Sequence, residues 1–243
     1  MKQKYGLQLF SVRDFTEKDM AYTIEKVAQM GYSYLEFAGF YGHDANAIKT
    51  MMDANGVSCS GTHSGFEELR PSNITETIKF HKTIGNPNYI IPGAGLSTLD
   101  KIKDFCNILN FAQPVLAAEG IRLGYHNHSH EFVVMPWGST IHSELEKRTD
   151  VDFEIDTFWA FNAGVDPILT LDRLKDRIHV IHLKDGYRGG RGMSLGEGEA
   201  PVAAVRQKAI DMGLTIVVES ETLTPDGLSE VKRCIDFLST LEK

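Results

Sequence analysis

The chain has 243 residues, 42% of them apolar, with 25 basic against 33 acidic side chains and a formal net charge of −8. That composition supports a large core, offers no run of about 18 apolar residues for a membrane span, and carries no basic stripe for nucleic acid. Three distant cysteines, Cys59, Cys106 and Cys234, form no C-x-x-C pair and read as free thiols of a reducing compartment.

The start, Met1-Lys2-Gln3-Lys4-Tyr5, lacks the apolar region and small-residue cleavage site of a signal peptide, so a cytoplasmic location is expected. From there, short β-rich runs alternate eight times with helical patterns. The first run is Tyr5 to Phe10, followed by a helix over Asp19 to Met30 that stops at Gly31. Tyr34 to Ala38 is the second strand, with a helix over Ala45 to Asn55. Val57 to His63 is the third, with a helix over Ile74 to Ile84. The fourth, Tyr89 to Ile91, closes at Pro92-Gly93. Its helix runs from Leu99 towards Glu119, and Pro114 is expected to kink or split it. The fifth strand, Ile121 to His126, precedes a helix over Ile141 to Lys147. The sixth, Val151 to Asp156, precedes one over Pro167 to Lys175. The seventh, Ile178 to Leu183, leads into a Gly- and Arg-rich loop, Lys184 to Gly198, then a helix over Pro201 to Met212. The eighth, Leu214 to Glu219, is followed by a helix over Leu228 to Leu241.

Strands alternating with helices imply parallel pairing. Eight such units over residues 1–243 fit one (β/α)8 TIM barrel as a single domain. A doubly wound open sheet would want a glycine-rich phosphate turn after the first strand. Here that strand ends Phe10-Ser11-Val12-Arg13.

A barrel's active site lies at the C-terminal ends of its strands. The most conspicuous end is Gly124-Tyr125-His126-Asn127-His128-Ser129-His130-Glu131. Alternate residues of an extended chain share a face, so His126, His128 and His130 can converge. Parity narrows the set. If Leu123 and Tyr125 pack outward on helices, His126 faces in. Val151, Phe153 and Ile155 outward turn Glu154 and Asp156 inward. Val180 shares its face with His182, and Val217 with Glu219. The inward strand ends are then His126, Asp156, His182 and Glu219. Two imidazoles and two carboxylates suit one divalent cation, Mn²⁺, Mg²⁺, Co²⁺, Zn²⁺ or Fe²⁺. His128 and Glu131 become groups beside the metal or facing substrate.

Around this set, Glu36 points inward on the second strand and is expected to hydrogen-bond substrate hydroxyls. His63 is read as a substrate contact, and Trp159 as a wall against apolar C–H surfaces of a substrate. Lys184 either neutralises an oxyanion or phosphate or pairs with Glu154. Arg188 and Arg191 either hold an anionic group or belong to a solvated loop. His43, His81, His142 and His179 read as structural or exposed.

The chain resembles the xylose-isomerase-like barrel superfamily of sugar isomerases and epimerases, which includes the endonuclease IV branch. The matching pieces are Gly31-Tyr32…Leu35-Glu36, Tyr125-His126-Asn127-His128…Glu131-Phe132, Asp156-Thr157-Phe158-Trp159, His182-Leu183-Lys184-Asp185 and Val218-Glu219-Ser220. The resemblance implies one divalent cation held by residues of strands five to eight, usually Glu, Asp, His and Glu. Asp156, His182 and Glu219 match the last three. On strand five the tagatose-epimerase type has a glutamate where this chain has Tyr-His-Asn-His. There His126 is the best match by parity, with His128 or Glu131 as alternatives. That run looks more like the inosose-dehydratase and keto-sugar lyase branch.

The implied activity is metal-assisted isomerisation or epimerisation of a keto-sugar through an enediolate. Glu219 is the expected base, and His126 or His128 the proton carrier if the reaction is an elimination. A small-molecule sugar, no nucleic acid, no membrane and a homo-oligomer of two or four chains complete the expectation. A non-catalytic sugar-binding barrel is the alternative from another class.

Overall fold

The structure is a computed structural model and describes residues 3–242; residues 1, 2 and 243 of the expected domain lie outside the described residues. Ten strands form. They are β1 (Gly6–Gln8), β2 (Tyr34–Ala38), β3 (Ser58–His63), β4 (Asn88–Ile91), β5 (Arg122–His126), β6 (Asp152–Asp156), β7 (Val180–Leu183), β8 (Asp185–Tyr187), β9 (Arg191–Met193) and β10 (Thr215–Val218). Eight of them close a parallel barrel in the order β1-β10-β7-β6-β5-β4-β3-β2, while β8 and β9 pair as a separate antiparallel hairpin. This is the (β/α)8 barrel that the alternation predicts.

The helices are α1 (Arg13–Thr16), α2 (Met20–Met30), α3 (Ala45–Asn55), α4 (Ile74–Thr83), α5 (Leu99–Ala117), α6 (Ile141–Arg148), α7 (Thr157–Asn162), α8 (Pro167–Arg173), α9 (Val202–Asp211) and α10 (Gly227–Thr240). Their starts follow local rules. Asp19, Asp44, Thr98, Thr140 and Asp226 each accept a backbone N–H three residues on. Gly31 and Gly56 end α2 and α3 in the left-handed region, which glycine adopts without penalty.

Several boundaries differ from expectation. β1 stops at Gln8, and Leu9–Val12 turn as a short 3-10 segment. Pro114 neither splits nor ends α5. It is exposed, so water can take the carbonyl that its missing N–H leaves free. The loop after β7 contains the β8–β9 hairpin, and α7 begins directly at the end of β6.

Two apolar layers confirm the parity argument. Leu7, Leu35, Phe37, Tyr89, Leu123, Tyr125, Phe153, Ile155, Ile181, Leu183, Ile216 and Val218 join one large core between strands and helices. At about 25 cal/mol per Å² of apolar surface, each such side chain contributes roughly 1.5–3 kcal/mol. Ile90, Val180 and Val217 form a separate small cluster inside the barrel. The polar strand ends share the face of that inner cluster. The register of β2 and β3 shifts between Leu35 and Glu36, so that Glu36 pairs with Gly61. A Cβ on Gly61 would sit 2.6 Å from Glu36 Oε1, so the missing side chain makes room for a carboxylate within the barrel.

A candidate metal centre at the top of the barrel

The register sets the site. His126 lies beside Glu154, Asp156 beside His182, and His182 beside Val217, two residues before Glu219. His126, Asp156, His182 and Glu219 are all buried. One ligand atom from each lies within 4.8 Å of those of the others. His182 Nδ1 is 3.2 Å from Glu219 Oε2. Asp156 does two jobs: Oδ1 accepts from Trp159 N at 2.8 Å and caps α7, while buried Oδ2 has no hydrogen-bond partner among the described residues. A buried carboxylate oxygen without a donor is costly, and a cation beside it removes that cost. The donor set and this open oxygen both fit one divalent cation of intermediate hardness.

Beneath these four lies a second polar tier. His182 Nε2 bonds Glu36 Oε2, to which Gln8 Nε2 also donates at 2.8 Å. Glu154 Oε2 lies 3.1 Å from His126 Nδ1 and 2.7 Å from His63 Nε2. Each upper-tier imidazole therefore spends one nitrogen on a buried carboxylate below. An imidazole held in that way presents its other nitrogen in a fixed direction. His63, His126, Glu154 and His182 also come within 4.8 Å of one another, and both imidazoles are common to the two groups.

The electrostatics follow from this stacking. Burial, then the nearby Glu36 charge, pushes the Glu154 carboxyl up to about 8. Burial raises Glu36 too, but His182 and His63 outweigh it and draw it down to about 2. Burial would lower His182, yet the Glu154, Glu36 and Glu219 carboxylates hold it well above its ordinary value. His126, buried and facing His182 and His63, is pushed well below. Burial lifts Asp156 to about 6.

A cavity of about 370 Å³ opens above, lined by Phe10, Ala38, His63, Pro92, His126, His128, Glu219 and Glu221. His128 is half-buried, its ring centroid 5.0 Å from that of His126 and 5.9 Å from that of Trp159. Its Nδ1 has no partner among the described residues. Lys184 is fully buried, bonded to Glu221 and 3.4 Å from Glu219 Oε2, with its ammonium 4.6 Å from the Trp159 ring centroid.

Several predicted site residues lie elsewhere. Glu36 sits below the tier of His126 and His182, bonded to His182 and Gln8, and is not among the residues that line the cavity. Glu131 is spent within its own turn: Oε1 accepts from Tyr125 Oη at 2.9 Å and Oε2 from His128 N at 2.8 Å. Arg188 lies over the Phe161 ring at 4.0 Å and donates to the Phe161 carbonyl, lining a different cavity with Gly164 and Pro167. Lys184 pairs with Glu219 and Glu221, not with Glu154, because it stands above the His182 tier and Glu154 below it. His81 and His142 are buried, whereas His179 is exposed.

Glu154, which parity turns inward, joins the site beneath the predicted set, and Gln8, Phe10 and Glu221 join it without a role assigned from the sequence. Gln8 between two leucines was the available signal for the first strand.

A profile of the xylose isomerase-like TIM barrel family matches residues 24–241. A sugar phosphate isomerase/epimerase from Parabacteroides distasonis is 27% identical, with a TM-score of 0.84 over 98% of both chains. An inosose dehydratase from Geobacillus kaustophilus is 22% identical over 244 residues, covering 90% of this chain and 74% of its own. The probable 3-DHS dehydratase of petrobactin synthesis from Bacillus anthracis shares the fold, with a TM-score of 0.75 at 11% identity over 98% and 99% of the two chains. The chain belongs to the xylose isomerase-like TIM barrel family.

Proposed function

We propose that the protein is a divalent-metal-dependent sugar isomerase or epimerase that removes the proton α to the carbonyl of a ketose or keto-sugar. The observation that carries the reading is the setting of Glu219. It lines the cavity, its Oε2 is engaged by His182 and Lys184, and its Oε1 takes no hydrogen bond among the described residues. A carboxylate held by one oxygen and free at the other is placed to accept a proton from substrate. A cation held by His126, Asp156, His182 and Glu219 would supply Lewis-acid polarisation of the substrate carbonyl and adjacent hydroxyl. Lys184 places positive charge beside Glu219, which would stabilise negative charge developing on the substrate. Phe10 and Pro92 give the cavity wall apolar surface.

A dehydratase or lyase on the same residues is a second reading. It is favoured by His126 and His128, which stand in the cavity wall where the two-carboxylate epimerase type has a glutamate. A neutral imidazole N–H beside a β-hydroxyl can donate to it as it leaves. The test for both is incubation of the metal-loaded protein with ketoses and inososes in D₂O. Deuterium at an α-carbon is expected. An added diketone product selects the dehydratase, and no label in any ketose or inosose contradicts the proposal.

A further inference from the structure

A barrel enzyme acting on a phosphorylated substrate commonly holds the phosphate with the loops after strands seven and eight and a helix N-terminus beside them. Backbone N–H groups supply most of that cradle. In this chain those N–H groups are already spent on carboxylates of its own.

After β7, the buried Asp185 accepts from Gly186 N at 2.8 Å, Gly196 N at 2.8 Å, Gly198 N at 3.0 Å and Ala200 N at 3.1 Å. After β10, the buried Glu230 accepts from Thr222 N at 3.2 Å and Thr224 N at 3.0 Å, and also from Ser220 Oγ. The N-terminus of α10 is closed as well. Ser229 N donates to Asp226 Oδ1 at 2.8 Å, and Gly227 N to Asp14 Oδ2 at 3.1 Å. Four carboxylates, Asp14, Asp185, Asp226 and Glu230, thus take the N–H groups that a phosphate held by these loops would need.

The cavity wall has the same bias. It carries Glu219 and Glu221, and no lysine or arginine is among its lining residues. The nearest ammonium, on Lys184, is shared between those two carboxylates. Arg13, behind Phe10, gives one guanidinium nitrogen to the Phe10 carbonyl and another to the Glu221 carbonyl. Arg188 is turned to Phe161. An anionic group on the substrate would meet like charge without a donor set to compensate it.

We infer that the substrate is a neutral, unphosphorylated keto-sugar or keto-cyclitol. This rests on the proposed keto-sugar chemistry and narrows its substrate class. Glu221, at the mouth, accepts a substrate hydroxyl, which a neutral polyol supplies and a phosphate does not.

The experiment pairs a ketose with its own phosphate ester, fructose with fructose 6-phosphate, and adds scyllo-inosose and inorganic phosphate. Deuterium exchange by the metal-loaded protein reads turnover, and ligand-observed NMR reads binding. The free sugar or cyclitol is expected to bind and exchange at least tenfold better than the ester, with inorganic phosphate silent. In Glu221→Gln the gap is expected to narrow several-fold, since one carboxylate on Lys184 is gone. Binding or exchange of the ester equal to or better than that of the free sugar overturns this inference and leaves the keto-sugar chemistry standing. An unchanged gap in Glu221→Gln overturns the electrostatic cause. Failure of every sugar and ester to bind or exchange overturns the keto-sugar reading and this inference with it.

Discussion

His126 and His182 each work through two nitrogens, one turned to the candidate metal centre and one to a buried carboxylate below it. Glu154 receives His126 Nδ1 and Glu36 receives His182 Nε2. These contacts fix ring orientation, so in the proposed metal site they would act on cation affinity rather than on substrate directly. Glu154→Gln and Glu36→Gln are expected to weaken divalent-cation binding about 10–100-fold, the usual effect of removing an outer-shell partner. Competition against a chromophoric chelator reads the affinity, and circular dichroism checks the fold; unchanged affinity in both variants contradicts the assignment. Parity made the upper set legible because inward and outward positions alternate without exception along β5, β6 and β7. It could not rank depth. Glu154 and Asp156 have the same parity, and only the barrel's height places one beneath the other. Glu131 and Arg188 were misplaced for a different reason: both lie on loops, where no period fixes direction, and each found partners in its own turn.

At the scale of elements, the hairpin of β8 and β9 stands out, because one carboxylate pins it. Asp185 takes four backbone N–H groups spread from Gly186 to Ala200. Asp185→Ala leaves those donors without a partner. At roughly 1–3 kcal/mol per buried unsatisfied group, partly relieved by water, the expected loss is about 3 kcal/mol. Asp19→Ala is the comparison. It removes the cap of α2, a single exposed bond to Tyr22 N, and is expected to cost about 1 kcal/mol. Urea denaturation measures both, and a loss at Asp185 no larger than at Asp19 contradicts the pinning role. The elements missed in the sequence share a cause. The run Lys184 to Gly198 contains no hydrophobic alternation, so its hairpin is held by Asp185 and not by a buried face. α7 is six residues long and depends on the Asp156 cap, and a ligand-type aspartate does not look like a helix start.

For the whole molecule, the eight-fold alternation was legible because every barrel helix needs an apolar stripe and every strand an apolar outer face. The same packing buries two histidines far from the site. Asn86 Oδ1 accepts from Asn88 N, which turns Asn86 Nδ2 towards His81 Nδ1 and leaves His81 no room for a second ring proton. Burial holds His81 at about 4. His142 is stacked between Phe132 and Phe153, with centroids at 4.8 and 4.5 Å, and burial holds it at about 3. In the unfolded chain both protonate near 6.5. Between that value and their folded values the unfolded chain binds more protons, so stability falls as pH falls from about 6.5 towards 4. Denaturation at pH 7 and at pH 4.5 is expected to differ by a few kcal/mol, and His142→Leu is expected to show a shallower slope. An identical slope in that variant removes His142 from the account.

Four strand ends, His126, Asp156, His182 and Glu219, are proposed to hold a single divalent cation together. Metal stoichiometry tests it most directly, read by elemental analysis after loading with Mn²⁺, Co²⁺ or Zn²⁺ and desalting, on the wild-type protein and on folded Asp156→Ala and Glu219→Ala. One ion per chain in the wild type, lost in both variants, is the predicted result. No retained ion in the wild type, or the same ion content in the variants, contradicts it.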